Sequence, residues 1–319
     1  EQIEAVSGDI SLTYFEFGTL AALLVFRDAS PDVMLLEVGL GGRLDAINII
    51  DADVAVVTSI ALDHQDWLGD TREAIAGEKI GIARVNRPLI IGEQDYPQGF
   101  EQMVLDTGAD ALYVGRDFSY TDEHSFSAKL SSNAGPLKID RLPSTGLLPV
   151  NKTLALQALL SAGLALNPDD SRTALESVRL TGRHQELSYK GIKITLDVAH
   201  NPAAAGALAQ KLAVADGRTL AIASVLQDKD WAGIVTAMGN VVDDWFIAQI
   251  SDTPRASEGQ TLLEVLYNEG RTGQLLESIG QALDSALEQA TADDRIVVFG
   301  SFHTVAAVLN IILAEVSSE

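Results

Sequence analysis

The sequence predicts a two-domain α/β protein in which mainly parallel sheets are covered by helices. Apolar strand-like runs alternate with segments of helical periodicity along most of the chain, and this alternation is typical of βαβ units. Glycine-rich or polar turns follow several of these runs directly. The length of 319 residues is sufficient for two domains. The pattern changes near Thr181, so we place the domains at 1–181 and 182–319.

The first domain is predicted to begin with an amphipathic helix. Apolar residues fall at helical spacing on one face of this segment, namely Phe17, Leu20, Ala21 and Leu24. The segment 110–148 has a shorter period and several turn signals, which indicate a small antiparallel β insertion. In chain order we expect a helix over 12–27, strands near 33–38, 54–60 and 88–92, this insertion, and a helix over 151–166.

The second domain is predicted to be a Rossmann-like βαβ series. Apolar residues alternate with polar ones over 192–198, as in a strand of period two. Asn201 then suits a helix N-cap and Pro202 suits the first helical position. Further strands are expected near 219–225, 245–250 and 295–300, and further helices near 230–242, 257–268, 275–290 and 303–315.

Composition limits the possible functions. The formal net charge is −23 and the pI is about 4.4, which argues against a general nucleic-acid surface. The chain has no cysteine, so disulfides and zinc–thiolate sites are excluded. The first residues do not have the form of a signal peptide, and no apolar run is long enough to span a bilayer. We expect a cytoplasmic protein that binds neither nucleic acid nor membrane.

Two turns carry the strongest functional signal. The run Val33–Val38 leads into Gly39-Leu40-Gly41-Gly42 and places Glu37 at its end. A second apolar run ends in Asp63 and His64. Ligands of open α/β sheets bind at the carboxyl ends of the strands, and glycines let a ligand approach the backbone closely. A carboxylate and an imidazole there are acceptable ligands for a divalent cation.

Six ordered motifs extend this signal along the chain. They are EVGLGGRLDAIN, SIALDHQDWLG, EKIGI, LTGRHQ, LDVAHNP and VFGSFHTVAAVL. Together they resemble the folylpolyglutamate synthase/dihydrofolate synthase family, which belongs to the Mur ligase superfamily. The resemblance covers the chain from Leu12 to about Leu309.

The resemblance implies a P-loop-type Mur ligase central domain followed by a Rossmann-like glutamate-binding domain. It implies an ATP-dependent ligase of folate biosynthesis and one-carbon metabolism, which adds L-glutamate to dihydropteroate or folates through an acyl phosphate. ATP and Mg²⁺ are the implied cofactors, and we expect a monomer. No stretch of the chain matches G-x-x-x-x-G-K-[ST]. We therefore expect the first domain to be truncated and these residues to be inactive.

The metal site implied by the resemblance comprises Glu37, His64 and Lys79. Lys79 is the least obvious member, because a lysine amine is normally protonated at neutral pH. If burial lowers its pKa, the neutral amine can react with CO₂ to give a carbamate, which is an oxygen ligand. A surface lysine paired with Glu78 is the structural alternative.

The resemblance also implies residues for the nucleotide and the other substrates. Arg183, beside a possible hinge at Thr181-Gly182, is suited to phosphoryl charge. Lys79, Arg183 and His200 are the implied catalytic residues. The nucleotide residues are Asn151, Arg183 and Asp197. The substrate residues are Thr13, Tyr14, Phe15, Glu16, Leu44, Asp45, Ala46, His200 and Ser301. Ile47 stands where the family has threonine, and Ser301 could equally be a plain N-cap.

Three other functions stay open at this point. A Mur-type cell-wall amino-acid ligase has the same architecture, although the LTYFE and GSFHTVA segments favour folate. A nicotinamide-dependent oxidoreductase could use Gly39, Gly41 and Gly42, but the match to G-x-G-x-x-G is incomplete. A non-catalytic remnant or binding module would explain the missing phosphate-binding loop.

Overall fold

The computed structural model describes residues 1–121, 126–144, 146–212, 217–251 and 253–316. The chain forms two compact units. The first comprises Glu1–Ser144 and Leu148–Leu175, and the second comprises Thr145–Leu147 and Glu176–Glu319. The units therefore divide between Leu175 and Glu176, a few residues before the change of pattern near Thr181.

The first unit contains a three-stranded parallel sheet and a three-stranded antiparallel sheet. The parallel sheet has the order β1-β2-β3, and the antiparallel sheet has the order β4-β5-β6. Its strands are β1 (Ala55–Val57), β2 (Pro88–Ile91), β3 (Asp110–Tyr113), β4 (Ser119–Thr121), β5 (Phe126–Leu130) and β6 (Leu137–Leu142). Its helices are α1 (Gln2–Ser7), α2 (Tyr14–Ala29), α3 (Gln65–Leu68), α4 (Arg72–Ile80), α5 (Phe100–Asp106), α6 (Pro149–Ser161) and α7 (Pro168–Ser177), which runs past the unit boundary. A 3₁₀ turn covers Ala46–Ile49.

Two predictions for the first unit were wrong. The segment 33–38 is not a strand, and Leu35 is 92 % exposed. An isolated extended segment gains no ladder hydrogen bonds, and among the described residues no strand pairs with it. The segment 110–113 was assigned to the antiparallel insertion, but it is β3 and pairs in parallel with β2. The insertion itself is confirmed as β4, β5 and β6.

The second unit is the predicted βαβ series. Its six-stranded sheet has the order β11-β10-β9-β12-β8-β7, and every neighbouring pair is parallel except β7 and β8. The strands are β7 (Gln185–Tyr189), β8 (Ile192–Leu196), β9 (Thr219–Ala223), β10 (Asp244–Ala248), β11 (Gly273–Leu276) and β12 (Arg295–Phe299). The helices are α8 (Pro202–Leu212), α9 (Trp231–Met238), α10 (Gly259–Asn268), α11 (Ile279–Gln289) and α12 (Phe302–Val316).

Buried apolar clusters lie on both faces of this sheet. One joins helix residues from α8, α9 and α10, including Trp231, to strand residues such as Trp245 of β10. The other gathers residues from α11 and α12, including Leu283 and Val308. Burying both faces is the arrangement that near-continuous apolar strands favour. Within the described part of the chain, no helix is both long and apolar enough to cross a membrane.

Candidate functional site

The glycine-rich turn after Glu37 packs on the C-terminal end of α4. A Cβ on Gly41 would lie 2.8 Å from the Leu68 side chain, and one on Gly42 would lie 2.8 Å from the carbonyl oxygen of Glu78. The Arg43 amide donates to that same carbonyl at 2.8 Å. Glycine is required here because the backbones approach so closely. The turn is thereby fixed beside Lys79.

His64 adopts an unusual backbone conformation at the start of α3. Its φ and ψ are 51° and 41°, in the left-handed region that non-glycine residues seldom adopt. Its amide donates to the Asp63 Oδ1 at 2.9 Å, and its Nε2 lies 4.0 Å from the same oxygen. The imidazole remains 38 % exposed. Strain of this kind is concentrated at functional sites.

Lys79 is partly buried near the C-terminal end of α4. Burial lowers the pKa of its amine, and the carboxylate of Asp63 opposes this shift. The structure therefore brings Lys79 near the Asp63-His64 turn. Among the described residues no three His, Cys, Asp or Glu side chains form a metal-binding group. The structure therefore does not gather Glu37, Asp63 and His64 into one ligand set, although a carboxylate and an oxygen-bearing derivative of Lys79 are ligand types that Mg²⁺ accepts.

Surface grooves on both sides of α2 gather most of the predicted pterin-binding residues. A cavity of about 400 Å³ is lined by Tyr14, Phe15, Glu37 and Ile47, among others. A second cavity of about 380 Å³ is lined by Glu16 and by Leu44, Asp45 and Ala46, among others. Tyr14 is 97 % exposed. The structure thus places Glu37 against the aromatic end of α2 and separates Tyr14 and Phe15 from Leu44–Ala46.

Several of these residues also have local structural roles. Thr13 and Glu16 form a reciprocal capping box at the start of α2. This contact with Thr13 lowers the pKa of the Glu16 carboxyl. Asp45 accepts hydrogen bonds from the amides of Leu40 and Ile47, both at 2.9 Å. The carboxylates of Glu16 and Asp45 therefore stabilise the backbone turns that border the second groove.

Asp197 organises the carboxyl edge of the second unit's sheet. Its Oδ2 accepts from the amide of His184 at 2.8 Å, and its Oδ1 accepts from the amide of Ala199 at 2.9 Å. One carboxylate thus joins the segment that carries Arg183 to the turn that carries His200. Asn151 lies in the other unit, exposed in the first turn of α6, whereas Arg183 and Asp197 share the second unit.

The ring of His200 is oriented by a backbone carbonyl. Its Nδ1 lies 2.8 Å from the carbonyl oxygen of Val198. A carbonyl only accepts, so Nδ1 carries the hydrogen of this contact. Asn201 accepts from the amide of Ala204 at 2.9 Å, which confirms the predicted helix cap. This cap fixes where α8 begins, directly after His200.

Ser301 is buried at the start of α12. It is 4 % exposed, and its Oγ accepts from the amide of Thr304 at 3.0 Å. The Oγ also lies 2.7 Å from the Thr304 hydroxyl, which in turn donates to the carbonyl of Ser224 at 3.0 Å. These contacts support the N-cap interpretation of Ser301.

Sequence reasoning missed two neighbours of the predicted residues. Asp63 opposes the effect of burial on Lys79, and the ring of Phe302 lies under the guanidinium of Arg183. Both stand inside recognised motifs, beside His64 and Ser301 respectively. The signal was therefore present, but a linear motif does not show which side chain meets which.

Comparisons with known proteins agree on one family. Residues 182–302 match the family described as Mur ligase, glutamate ligase domain. Over 314 residues the chain is 44 % identical to the dihydrofolate synthase/folylpolyglutamate synthase of Escherichia coli (strain K12), covering 98 % of this chain and 72 % of that protein. It is 30 % identical to the folylpolyglutamate synthase of Lacticaseibacillus casei, with 98 % and 74 % covered.

Solved structures show the same similarity in three dimensions. The E. coli FolC complex with DHPP and ADP matches with a TM-score of 0.91, covering 98 % of this chain and 74 % of that one. A bifunctional folylpolyglutamate synthase/dihydrofolate synthase with Mn, AMPPNP and L-glutamate bound is 40 % identical and matches with a TM-score of 0.88, covering 97 % and 74 %. Those ligands belong to those structures.

Proposed function

Because the chain belongs to the dihydrofolate synthase/folylpolyglutamate synthase family of Mur ligases, we infer that its function is ATP-dependent ligation of L-glutamate to dihydropteroate, to folates, or to both. The structural observation that carries the assignment of residues is the Asp197 carboxylate. It binds the backbone beside Arg183 and the backbone beside His200. Asp197 therefore joins the segment of Arg183, which suits phosphoryl groups, to the segment of His200, which suits an amino acid.

The reaction has two steps. The carboxylate of the pteroate or folate takes the γ-phosphoryl group of ATP, which yields an acyl phosphate and ADP. The α-amine of glutamate then attacks the acyl carbon, the bond to the phosphate oxygen breaks, and inorganic phosphate leaves. The amine loses a proton as the amide forms. Much of the catalysis in such transfers comes from positioning and from charge stabilisation.

Arg183 is assigned to the phosphoryl group. Its guanidinium is exposed, and among the described residues its only side-chain partner is the ring of Phe302. Within the described part of the chain no hydrogen bond engages its N–H donors, and a planar guanidinium can bind phosphate oxygens in a bidentate manner. We assign Asn151 and Asp197 to the nucleotide as well, with Asp197 acting through the loops that it holds.

His200 is assigned to glutamate. The contact between Nδ1 and the Val198 carbonyl fixes the orientation of the ring at this edge of the sheet, where an imidazole suits the binding and orientation of the attacking amine. Ser301 completes this edge by fixing the start of α12 beside it.

In the first unit, Glu37, His64 and Lys79 are assigned to Mg²⁺, together with the newly found neighbour Asp63. Mg²⁺ offsets the charge of the phosphate oxygens when bound. The pterin is assigned to the groove lined by Glu16 and the Leu44–Ala46 turn, and Tyr14 and Phe15 line the neighbouring groove beside α2. We also propose that the ligase acts as a monomer in the cytoplasm, where ATP is plentiful, and gel filtration tests the monomer.

The test is a coupled assay on the full gene product. We expect ATP-dependent phosphate release that requires both dihydropteroate and glutamate, and no oxidation of NADH. His200→Ala should raise the KM for glutamate far more than the KM for ATP. A change confined to the KM for ATP would place His200 on the wrong ligand. Turnover with a cell-wall precursor instead of a pteroate would overturn the substrate assignment.

A further inference from the structure

The guanidinium of Arg183 lies over the ring of Phe302. The central carbon of the guanidinium lies 5.4 Å from the ring centroid, within the range of a cation–π contact. Phe302 is 61 % exposed. A phenylalanine this exposed contributes little to the hydrophobic core, so core packing does not account for its position against Arg183.

The backbone on both sides of this pair is fixed. Gly182 has a φ of +68°, and a Cβ there would lie 3.0 Å from Val198 and 3.2 Å from Val305. The Val198 amide donates to the Gly182 carbonyl at 2.8 Å. Gly182 is therefore wedged between the end of β8 and the first turn of α12. Because Phe302 is the first residue of α12, the ring and the arginine are brought together by a rigid packing contact.

Several other apolar residues of α12 are buried, in contrast to Phe302. Val305 and Val308 are 3 % and 0 % exposed and pack against the sheet. Phe302 begins the same helix yet remains outside this cluster. An arginine side chain has several rotatable bonds, and an exposed one samples many positions. The ring lowers this freedom without using any N–H donor, so the guanidinium stays free to bind an anion.

We propose that Phe302 is a positioning residue of the ligase, which holds the Arg183 guanidinium ready for the phosphoryl group at the carboxyl edge of the second unit's sheet. The proposal rests on the proposed function, in which Arg183 meets that group. It predicts that an aromatic ring is needed at position 302 and that its effect passes entirely through Arg183.

The experiment compares Phe302→Leu, which removes the ring, with Phe302→Tyr, which keeps it. In the full gene product we expect Phe302→Leu to lower kcat/KM for ATP roughly 2- to 5-fold, the range for losing an exposed cation–π contact. The KM for glutamate and the Tm should not change, and Phe302→Tyr should match the parent. Tyr267→Leu is the control, because Tyr267 is a half-exposed aromatic on α10 without a cationic partner among the described residues.

A double-mutant cycle with Arg183→Ala separates the two claims. If Arg183→Ala lowers phosphoryl transfer to a measurable residual rate and Phe302→Leu adds no further loss in that background, the proposal holds. Full activity of Phe302→Leu, or an equal additional loss in the Arg183→Ala background, would overturn it. Full activity of Arg183→Ala would instead refute the proposed role of Arg183. If Phe302→Leu lowers the Tm, Phe302→Met serves as a less disruptive second variant.

Discussion

The partial burial of Lys79 favours the neutral form of its amine. Its amine is largely removed from water, which lowers its pKa, while Asp63 opposes the shift. A lower pKa enlarges the neutral fraction that reacts with CO₂, and this fraction grows as the pH rises towards that pKa. We expect mass spectrometry of the full gene product in bicarbonate to show added CO₂ on Lys79. Lys79→Ala should lose activity and recover part of it with short carboxylates. Lys138→Ala, which removes an exposed lysine paired with Asp140, should do neither. Undiminished activity of Lys79→Ala would refute the carbamate.

Asp294 anchors the opposite end of the second unit's sheet and gives a pH-dependent prediction. It is 5 % exposed and accepts from the Thr291 amide at 2.9 Å and the Arg218 amide at 2.6 Å. The amide of Thr291 is the main cause that lowers the pKa of its carboxyl from 3.8 to about 2. The folded state therefore favours the ionised form, so its stabilisation is present above pH 3.8 and is lost as the pH falls towards 2.

We expect Asp294→Asn to lower the free energy of unfolding by roughly 1–3 kcal/mol at neutral pH, with a smaller difference near pH 2–3. Asp244→Asn is the matched control, because Asp244 pairs with the same arginine at 2.9 Å but is much more exposed. Thermal unfolding followed by circular dichroism at several pH values measures both. An equal loss at every pH would show that the carboxylate's charge is not responsible.

Several secondary-structure elements were predictable from a clear periodic pattern. The alternation over 192–198 gave β8, and Asn201-Pro202 gave the start of α8. The run 33–38 has an equally apolar pattern, yet it forms no strand, because strand formation depends on a neighbour that the pattern cannot supply. The hairpin strand β7 was missed, since its residues alternate weakly and its turn is the short Lys190-Gly191. Strand β11 was missed as well, and the helix expected over 275–290 begins only at Ile279.

Close packing between α8 and α9 leads to a prediction about a glycine. Gly233 lies in the first turn of α9, where a Cβ would meet the Asp230 carboxylate and the Pro202 ring, the latter at 2.6 Å. Since Pro202 follows the His200 turn by two residues, Gly233→Ala should push that turn away. We expect a loss of roughly 1–3 kcal/mol in the free energy of unfolding and a raised KM for glutamate.

Gly206→Ala tests the same change on the neighbouring helix α8, where nothing lies within 4 Å of the added Cβ. Alanine is the better helix former, so this variant should gain about 0.5–1 kcal/mol. Chemical denaturation compares the two. If Gly233→Ala were as stable as Gly206→Ala, the proposed contact with Pro202 would not constrain the turn.

Across the whole molecule, the fold and family were predictable, but the geometry of the site was only partly so. Ordered motifs identified the residues that stand at strand ends, such as Asp197 and His200. They did not show that the Asp197 carboxylate is engaged with two backbone amides, or that Phe302 meets Arg183. Such contacts join residues from different elements, and their pairing follows from packing that no single stretch of sequence records.

The last prediction concerns MgATP binding by the 319 residues themselves. A phosphate-binding loop supplies backbone N–H groups, a lysine and a hydroxyl aimed at the nucleotide. No stretch of these residues matches that loop, and the 33–38 segment has no strand beside it in the described part of the chain. We expect calorimetric titration of these residues with MgATP to show no micromolar binding and no glutamate ligation. The second unit should remain folded and show a cooperative unfolding transition, because its sheet is covered on both faces. Arg183→Ala, measured in parallel, should not change the heat. Micromolar binding with turnover, lost in Arg183→Ala, would show that the described residues suffice for the nucleotide site.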